Sequence, residues 1–511
     1  MRLQSRTSAI ILGAAAVAAM IIIVAVAMSM IPNIARNNQS SDNKSSGIFN
    51  QEKSDNNKIA NNNVSSSSFT SPYVREYKLS TGTFPNGILV DRNGTVWTVG
   101  SQSHSLIAFR PKEEKIASYP LPNSSNGPDT LAWSMAQSKD DGSILFPGSG
   151  RIVQLWSFDP ATQRFESINS LTALPFQIKL DQSGNVLYTA LYAGVIGAVQ
   201  KEGYTYDSIK ELQLGNESLP SGLFLQNQLL WITKSADGKI ELFHVSYQGN
   251  GRITDITKVA EFPQNEALFS PTDIIVNNGS AWVTEHGTSF LTEYNLKTQE
   301  VKRYPTALHP IQISTLPYWL AQDPDGKGVW FNEHRGNRIA FFDFSNHTLT
   351  EYEVPTRNPQ MGYIANVLTV AADPTNENRA WFTELTEDKI GYVDKSRPIP
   401  FNIQASEKEQ IVIEKGQTAR VDIKITRNPD VELFNNTLSF NVSSSVVTSG
   451  VLLNATANFS PNVIDLSRVN GTQAVTLELK DEGVQKGQYV LAISASDGAV
   501  IKTVYLELVV K

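Results

Sequence analysis

A short strand centred on tryptophan recurs along the chain, and this repeat constrains the fold more than any other feature. Five copies keep the tryptophan, and two weaker copies replace it. The copies are Val96-Trp97-Thr98-Val99, Ile144-Leu145-Phe146, Val186-Leu187-Tyr188, Leu230-Trp231-Ile232-Thr233, Ala281-Trp282-Val283-Thr284, Val329-Trp330-Phe331-Asn332 and Ala380-Trp381-Phe382-Thr383. From Trp97 to Trp381 they are spaced about 47 residues apart on average. This spacing matches the roughly 40–50 residues of one β-propeller blade.

Each copy belongs to a unit that reads as four short strands. A strand led by proline, such as residues 85–91, comes first, and a polar hairpin turn, such as residues 323–326, leads into the tryptophan strand. A third strand like residues 338–343 and an outer strand like residues 350–355 complete the unit. Helical periodicity is nearly absent here. The units therefore predict an all-β chain with a seven-bladed β-propeller over residues 71–399.

The count of outer strands predicts how the propeller closes. The seventh copy ends at residues 391–394 without a clear outer strand, whereas one unassigned strand of the same type, residues 75–79, precedes the first copy. We therefore expect the N-terminal strand to complete the last blade, because this pairing removes two exposed sheet edges. Copies one to six have their own outer strands, near Tyr119, Phe165, Glu211, Phe262, Tyr304 and Tyr352.

A different pattern begins after residue 399. Apolar residues alternate with polar ones in several short segments separated by Gly and Asn turns, which predicts an Ig-like or fibronectin-like β-sandwich over residues 400–511. No residue of this module suggests chemistry, and it is interpreted as a spacer or adhesive module. The alternating residues are Val421, Ile423, Ile425, Val475, Leu477, Leu479, Tyr489, Leu491, Ile493, Val504, Leu506 and Leu508.

The N-terminus predicts a membrane anchor. Residues 8–31 are apolar and uncharged, and they are long enough to cross a bilayer core of roughly 30 Å. Arg2 and Arg6 precede them and favour a cytoplasmic N-terminus, with the bulk of the chain outside the cell membrane. A cleaved signal peptide is the alternative, but the apolar run is long and no clear cleavage site follows. Residues 1–36 are therefore interpreted as a cytoplasmic tip and single-pass anchor.

Composition excludes several kinds of site and suggests modification. The chain has 511 residues, a net charge of −7 and no cysteine, so disulfides and thiolate sites are excluded, and no basic stripe favours nucleic acid.

Residues 37–70 hold nine Asn and nine Ser, which predicts a disordered stalk. Thirteen N-glycosylation sequons agree with an exported topology. Besides three in the stalk, they lie at Asn93, Asn123, Asn216, Asn278, Asn346, Asn435, Asn441, Asn454, Asn458 and Asn470.

The late copies carry motifs that resemble a known family. Trp-Phe-Thr-Glu at residues 381–384 is followed by Lys-Ile-Gly at residues 389–391, and the outer strands at residues 118–122 and 351–355 read Ser-Tyr-Pro-Leu-Pro and Glu-Tyr-Glu-Val-Pro. Over residues 73–398 the chain thus resembles the streptogramin B lyase (virginiamycin B lyase) family. The resemblance implies a seven-bladed propeller, magnesium, and opening of a cyclic peptide lactone by elimination.

The chain departs from this family at the residues that matter for catalysis. The family has histidines in Pro-His-x-Ile turns of its late blades, whereas the corresponding positions here are Thr272, Tyr318 and Leu368. Leucine cannot transfer a proton, and threonine is a poor substitute for histidine. The family's catalytic residues are therefore not carried over to this chain.

A substitute site is predicted on the propeller face where the loops after the tryptophan strands open. The catalytic candidates are His286, His334, Glu285, Glu333 and Glu384, because imidazole and carboxylate groups can form an acid–base pair or bind a divalent metal such as Mg²⁺ or Ca²⁺. The alternative is that these residues are simply polar loop residues. The remaining candidates for a ligand-binding face are His104, His309, Tyr318, Trp319 and Arg335.

Three functions are left open by the sequence. The first is a non-catalytic surface protein that binds a small molecule, glycan or envelope protein at the propeller face. The second is an exported carbon–oxygen lyase or lactone-opening hydrolase with a rebuilt site. The third is a structural component of the cell envelope.

Overall fold

A computed structural model describes residues 69–122, 132–148, 153–168, 171–202, 205–215, 217–405 and 410–511. No α-helix occurs among these residues, which form β-strands joined by turns and by four short 3-10 turns, Leu191–Ala193, Pro359–Met361, Leu385–Glu387 and Leu466–Arg468. The predicted anchor and most of the predicted stalk lie outside them. Within the described part of the chain, no helix is long and apolar enough to span a bilayer.

The strands up to residue 394 form seven groups of four antiparallel strands, numbered here as sheets 1 to 7. A single strand, β1 (Val74–Lys78), precedes sheet 1. Sheet 1 consists of β2 (Pro85–Val90), β3 (Val96–Gly100), β4 (Ser105–Arg110) and β5 (Lys115–Pro120). Sheet 2 consists of β6 (Ala136–Gln137), β7 (Ile144–Gly148), β8 (Gln154–Asp159) and β9 (Arg164–Ile168). Sheet 3 consists of β10 (Gln177–Leu180), β11 (Val186–Ala190), β12 (Val195–Glu202) and β13 (Thr205–Gln213). Sheet 4 consists of β14 (Pro220–Gln226), β15 (Leu229–Lys234), β16 (Lys239–Tyr247) and β17 (Ile253–Phe262). Sheet 5 consists of β18 (Pro271–Asn277), β19 (Ser280–Glu285), β20 (Phe290–Asn295) and β21 (Val301–Pro305). Sheet 6 consists of β22 (Pro317–Gln322), β23 (Gly328–Glu333), β24 (Arg338–Asp343) and β25 (Thr348–Glu353).

Sheet 7 combines the two ends of the repeat region. It contains β26 (Val367–Ala372), β27 (Arg379–Glu384) and β28 (Lys389–Asp394), and its outer strand is β1. Strand β1 runs antiparallel to β28 with Tyr77 opposite Ile390. The predicted pairing of the N-terminal strand with the last sheet is therefore confirmed.

In sheets 1, 6 and 7 an aspartate ties the first strand to the tryptophan strand. Asp91 follows β2, and its carboxylate accepts hydrogen bonds from the indole Nε1 of Trp97 at 2.8 Å and from the backbone N–H of Thr95 at 2.9 Å. Asp323 accepts from Trp330 Nε1 at 3.1 Å in sheet 6. The predicted hairpin turn at residues 323–326 is also confirmed, since it joins β22 to β23. The carboxylate of Asp91 thus accepts hydrogen bonds both from a backbone N–H group of the turn and from the buried indole.

A belt of hydrogen bonds joins neighbouring sheets near their inner strands. The residue two positions after the tryptophan supplies many of the donors: Thr284 Oγ1 of sheet 5 donates to the carbonyl of Tyr318 in sheet 6 at 2.6 Å. Thr383 Oγ1 of sheet 7 donates to the carbonyl of Asn86 in sheet 1 at 3.0 Å, so the last sheet is bonded to the first. The remaining bonds of this belt are Gly87 N to Ala132 O, Ser134 Oγ to Ile178 O, Thr189 Oγ1 to Ser221 O, Thr233 Oγ1 to Thr272 O and Asn332 Nδ2 to Val367 O.

The C-terminal module is formed by two further sheets. The first has the strand order β29-β31-β35-β33, and the second has the order β37-β36-β32-β34, with β30 parallel to β37. Alternate residues of β31 and β35 are buried as predicted. The strands are β29 (Phe401–Ala405), β30 (Gln410–Ile413), β31 (Thr418–Arg427), β32 (Thr437–Ser444), β33 (Ala455–Ser460), β34 (Val463–Asp465), β35 (Thr472–Asp481), β36 (Gly487–Ser496) and β37 (Val500–Val510).

The second sheet of this module is continuous with sheet 6. Strand β37 pairs antiparallel with the outer strand β25, with Thr350 opposite Lys502, and the Tyr505 hydroxyl donates to the carbonyl of Pro305 at 2.9 Å. Strand β36 departs from the predicted alternation, since consecutive residues 490–495 are buried. One physical reason is that Val490 packs into the core cluster of sheets 5 and 6. The module is therefore bonded to the repeat region, an arrangement that its sequence alone did not predict.

Candidate functional site

The pairing register of the late sheets shows which residues occupy equivalent positions. Pro271 lies opposite Glu285 in sheet 5, and Pro317 lies opposite Glu333 in sheet 6. Val367 lies opposite Glu384 in sheet 7 in the same way. The next residues, Thr272, Tyr318 and Leu368, are therefore equivalent, as the sequence predicted.

Two of the predicted histidines meet at Tyr318. His286 and His334 lie in the turns after β19 and β23. The ring centroid of Tyr318 is 4.4 Å from that of His286 and 5.7 Å from that of His334, and the two imidazoles are 5.8 Å apart. Trp319 lies next to Tyr318 at 5.8 Å. His286, Tyr318, Trp319 and His334 are called the aromatic–imidazole cluster below.

Aromatic residues of more distant sheets extend this cluster. Phe176, at the start of sheet 3, contacts Trp319 edge-on with a centroid separation of 5.5 Å. Trp133, which precedes β6 of sheet 2, is half-buried and lies 5.8 Å from Phe176. Ring pairs of this kind contribute about 0.5–1.5 kcal/mol each beyond their area burial. The contacts bring aromatic residues of sheets 2, 3 and 6 into one continuous series.

The imidazoles of the cluster are electrically neutral at ordinary pH. Burial lowers the pKa of His286 to about 4, although a hydrogen bond from its Nδ1 to the carbonyl of Pro317 at 3.3 Å partly opposes this shift. Burial, followed by the charges of His286 and Arg335, lowers the pKa of His334 to about 3. The Nδ1 of His334 is buried and has no hydrogen-bond partner among the described residues.

The three candidate glutamates occupy a different place from the one predicted. Glu285, Glu333 and Glu384 were expected in the loops, but each is the last residue of the second strand of its sheet and is fully buried. The reason is that strand pairing continues to these residues, opposite the start of each inner strand. Glu285 is bonded within sheet 5: Arg303 Nε donates to it at 2.9 Å and Thr292 Oγ1 at 2.5 Å.

The other two glutamates are held beside a second carboxylate. Burial, followed by the charge of Glu351, raises the pKa of Glu333 well above its usual value. Burial and the nearby Glu76 raise the pKa of Glu384 in the same way. Both oxygens of each glutamate lack a conventional hydrogen-bond donor among the described residues. Burial beside a second carboxylate therefore favours the protonated form of Glu333 and of Glu384.

The remaining candidates have individual environments. His309 lies in the loop before β22, and its Nδ1 accepts hydrogen bonds from the backbone N–H groups of Ile311 at 3.2 Å and Gln312 at 3.0 Å. Burial and the charge of Arg338 lower its pKa to about 4. His104 lies in the turn between β3 and β4, at a φ of 47°. Arg335 follows His334 in the same turn, and its charge acts on both imidazoles of the cluster.

Asp273 is a central residue that sequence reasoning missed. It is buried in β18, and its carboxylate accepts hydrogen bonds from Gln177 Nε2 of sheet 3 at 2.7 Å and from the Leu320 N–H of sheet 6 at 2.7 Å. Burial raises its pKa to about 6. The charge of Asp273 also contributes to the raised pKa of Tyr318, which is caused first by burial. A charged residue within an apolar inner strand was the signal that could have identified it.

The residues of this region do not fit a magnesium site. No group of three or more His, Asp or Glu side chains within the described ranges is arranged to hold a metal ion. Glu285, the carboxylate nearest in sequence to His286, is already bonded to Arg303 and Thr292. The magnesium implied by the family resemblance therefore has no evident donor set here.

Most predicted glycosylation sites are accessible. Asn441 is half-buried in β32, and Asn123 and Asn216 lie outside the described residues. The exposed sites are Asn93, Asn278, Asn346, Asn435, Asn454, Asn458 and Asn470.

Comparison with known proteins supports the fold. No protein-family profile matches the chain, and no curated protein sequence matches it. The solved structure of selenomethionine-substituted virginiamycin B lyase from Staphylococcus aureus is 22% identical with a TM-score of 0.50, and the match covers 63% of this chain and 98% of that one. A streptogramin B lyase structure is 21% identical with a TM-score of 0.50, and the match covers 63% and 97% of the two chains. The fold of this chain is thus all-β and propeller-like.

Proposed function

We propose that this chain is a membrane-anchored extracytoplasmic protein that binds a ligand with apolar or aromatic rings at the aromatic–imidazole cluster of a β-propeller. The observation that carries this proposal is the packing of His286 and His334 against Tyr318, with both imidazoles neutral. Neutral aromatic surfaces bind rings by stacking and apolar contact.

The same observation argues against acid–base catalysis by these imidazoles. A general base works best when its pKa lies near the operating pH. The pKa values of about 4 for His286 and about 3 for His334 lie well below neutrality, so either group would accept a proton poorly. The carboxylate of Glu285 is engaged by Arg303 within its own sheet. Binding therefore fits the site better than proton transfer.

The architecture that would present this site is a closed seven-bladed propeller over residues 71–399, followed by an Ig-like sandwich over residues 400–511. Support comes from the seven four-stranded sheets, the pairing of β1 with β28 and the hydrogen bond from Thr383 to Asn86. Support for the sandwich comes from the two sheets after residue 399, which are in contact through strands β29 and β37.

Anchoring and glycosylation belong to the same proposal and rest on the sequence. The apolar residues 8–31 would hold the chain in the membrane, and the exposed sequons would carry glycans on the outer side. Alkaline carbonate extraction of cell membranes tests the anchor: the full chain should stay in the membrane pellet, and a variant lacking residues 1–36 should not. Release of the full chain by carbonate would contradict the proposal.

The binding proposal is tested with a defined panel of ligands on the full chain in a non-ionic detergent. A cyclic depsipeptide of the streptogramin B type, a linear peptide rich in aromatic residues and a chitin oligosaccharide present rings in three different chemical settings. We expect at least one of them to raise the melting temperature through mass action. We expect Trp319→Ala and the His334→Ala variant to abolish that shift.

A matched control separates the site from the rest of the chain. His244 lies on β16 and is half-buried, with its Nε2 3.0 Å from Gln228. His244→Ala should leave the ligand-induced shift unchanged. A panel without any shift, or a shift that survives both cluster variants, would contradict the proposed binding site.

A lyase or lactone-opening hydrolase is the second candidate. It is favoured by the fold similarity to streptogramin B lyases and by the Nδ1 of His334, which has no hydrogen-bond partner in the described part of the chain. Elimination would give a ring-opened isomer of unchanged mass, whereas hydrolysis would add one water. Chromatography and mass spectrometry of the incubated depsipeptide distinguish these products from the intact ring. Ring opening that is lost in the His286→Ala/His334→Ala double variant would favour the enzyme over the binding protein.

A further inference from the structure

The C-terminal module contacts the turn that carries His286. This turn joins β19 to β20 and ends at Ser289, and the loop of the module that meets it comprises residues 445–454 between β32 and β33. The backbone N–H of Ser289 donates to the carbonyl of Thr448 at 2.9 Å, and the hydroxyl of Ser289 donates to the carbonyl of Ser449 at 3.0 Å. Two hydrogen bonds therefore join the turn to the module.

A third hydrogen bond from the module holds the loop that leads to Tyr318. This loop comprises residues 306–316 between β21 and β22, and the carbonyl of its first residue, Thr306, accepts a hydrogen bond from Ser443 Oγ at 2.9 Å. Ser443 lies on β32, and both it and Thr306 are fully buried. Because a buried carbonyl that loses its donor destabilises the structure around it, Ser443 constrains where this loop begins.

The buried residue Ser289 links the turn to this loop. Its hydroxyl accepts a hydrogen bond from the backbone N–H of Thr315 at 3.1 Å while it donates to the module. The carbonyl of Ser289 accepts from the N–H of Thr306 at 2.9 Å. Both ends of the loop over residues 306–316 are therefore bonded to the last residue of the turn that carries His286.

The end of the same loop is bonded to the turn that carries His334. The N–H of His334 donates to the carbonyl of Leu316 at 3.0 Å, and the N–H of Arg335 donates to the carbonyl of Thr315 at 2.9 Å. Leu316 lies two residues before Tyr318, whose ring packs against both imidazoles. A continuous series of hydrogen bonds thus runs from the module to the aromatic–imidazole cluster, and buried networks of this kind make a site rigid.

We propose that the C-terminal module is a structural part of the ligand site, in which Ser289 and Ser443 are positioning residues that hold the aromatic–imidazole cluster in its binding geometry. This role goes beyond that of a spacer or adhesive module, and it rests on the binding function proposed above. A site whose groups are fixed before the ligand arrives loses less entropy on binding. Loss of either serine hydroxyl should therefore weaken binding, although neither hydroxyl belongs to the cluster.

The test compares Ser289→Ala and Ser443→Ala with the wild-type full chain in a non-ionic detergent. The probe is a cyclic depsipeptide of the streptogramin B type, and calorimetric titration measures its affinity. We expect each substitution to weaken binding by about fivefold, which is the lower end of typical coupling between two sites. In the ligand-free chain, the NMR Cε1–H signals of His286 and His334 should shift or broaden in both variants, because the surroundings of the two rings are no longer fixed.

Ser105→Ala is the matched control. Ser105 is buried at the start of β4 in sheet 1, and its hydroxyl donates to the carbonyl of Ser103 at 2.9 Å. Its loss should leave the affinity and both histidine signals unchanged. A wild-type chain that does not bind the depsipeptide would contradict the proposed binding of this probe, and the histidine signals, which need no ligand, would then decide the role of the module. Histidine signals that stay unchanged in Ser289→Ala or in Ser443→Ala would overturn the inference.

Discussion

Arg338 is the residue whose removal should test the packing of sheet 6 most sharply. Its guanidinium is almost fully buried in β24. Nε donates to Glu353 at 2.6 Å, and Nη1 donates to the carbonyl of Ala307 at 2.8 Å and to Glu351 at 3.2 Å. Glu333 is also within 3.6 Å. One cation thus compensates three buried glutamates, with help from Arg357 at Glu353.

Replacing Arg338 with methionine keeps much of the buried stem and leaves the carboxylates without their counter-ion. Breaking a buried ion pair by removing one partner costs about 3–5 kcal/mol. A repeat region of about 330 residues has an unfolding entropy of about 0.7 kcal/mol/K, so the melting temperature should fall by about 4–7 °C. Arg420→Met is the matched control, because Arg420 pairs with Glu478 on the surface and should contribute at most about 1 kcal/mol.

The pH dependence of stability gives a second test of the Arg338→Met variant. Burial opposes ionisation of Glu353, but Arg338 and Arg357 hold its pKa below the usual value. The stability that Glu353 gains from these charges is present above an unfolded pKa of about 4.3 and is lost as pH falls through the folded pKa. Calorimetry should therefore show the largest gap between Arg338→Met and wild type near neutral pH, and a smaller gap below about pH 4. A loss no larger than that of Arg420→Met, or a gap that does not depend on pH, would refute this reasoning.

Three further predictions concern single contacts. Glu333→Gln imitates the protonated carboxyl. Because the raised pKa of Glu333 costs stability as pH rises above about 4.3, the melting temperature of this variant relative to wild type should increase from pH 5 to pH 9. A constant difference would contradict a raised pKa of Glu333. Thr284→Val removes the hydrogen bond to the carbonyl of Tyr318, and it should lower the free energy of unfolding in denaturant by about 1–3 kcal/mol. An unchanged free energy of unfolding would show that this bond between sheets 5 and 6 does not stabilise the fold. Tyr505→Phe removes the donor to Pro305, and it should lower stability by about 1 kcal/mol and increase amide hydrogen exchange along β37, whereas unchanged exchange would show that this bond does not hold the module.

Much of the repeat region could be predicted because its pattern is local. The tryptophan spacing, the aspartate turns and the unassigned strand at residues 75–79 each follow from short segments, and the pairing of β1 with β28 agrees with them. The equivalence of Thr272 and Tyr318 followed from their proline-led turns, and that of Leu368 from its spacing to Asp373.

The features that could not be predicted depend on contacts between distant segments. Nothing local in β37 indicates that it pairs with β25, about 150 residues earlier in the chain. Glu333 was placed in a solvent-facing loop, because the sequence does not show that strand pairing reaches it or that Glu351 and Arg338 lie beside it. Asp273 was overlooked because its partners come from two other sheets.

The account rests on a neutral binding site formed by His286, Tyr318 and His334, and a titration of the histidine Cε1–H signals by NMR tests it most directly. Single His→Gln variants would assign the six histidines of the chain. Burial lowers the pKa to about 4 for His286 and about 3 for His334, so neither signal should shift between pH 5.5 and pH 8. A titration of either histidine near pH 6.5 would contradict the account and would restore acid–base chemistry to this face.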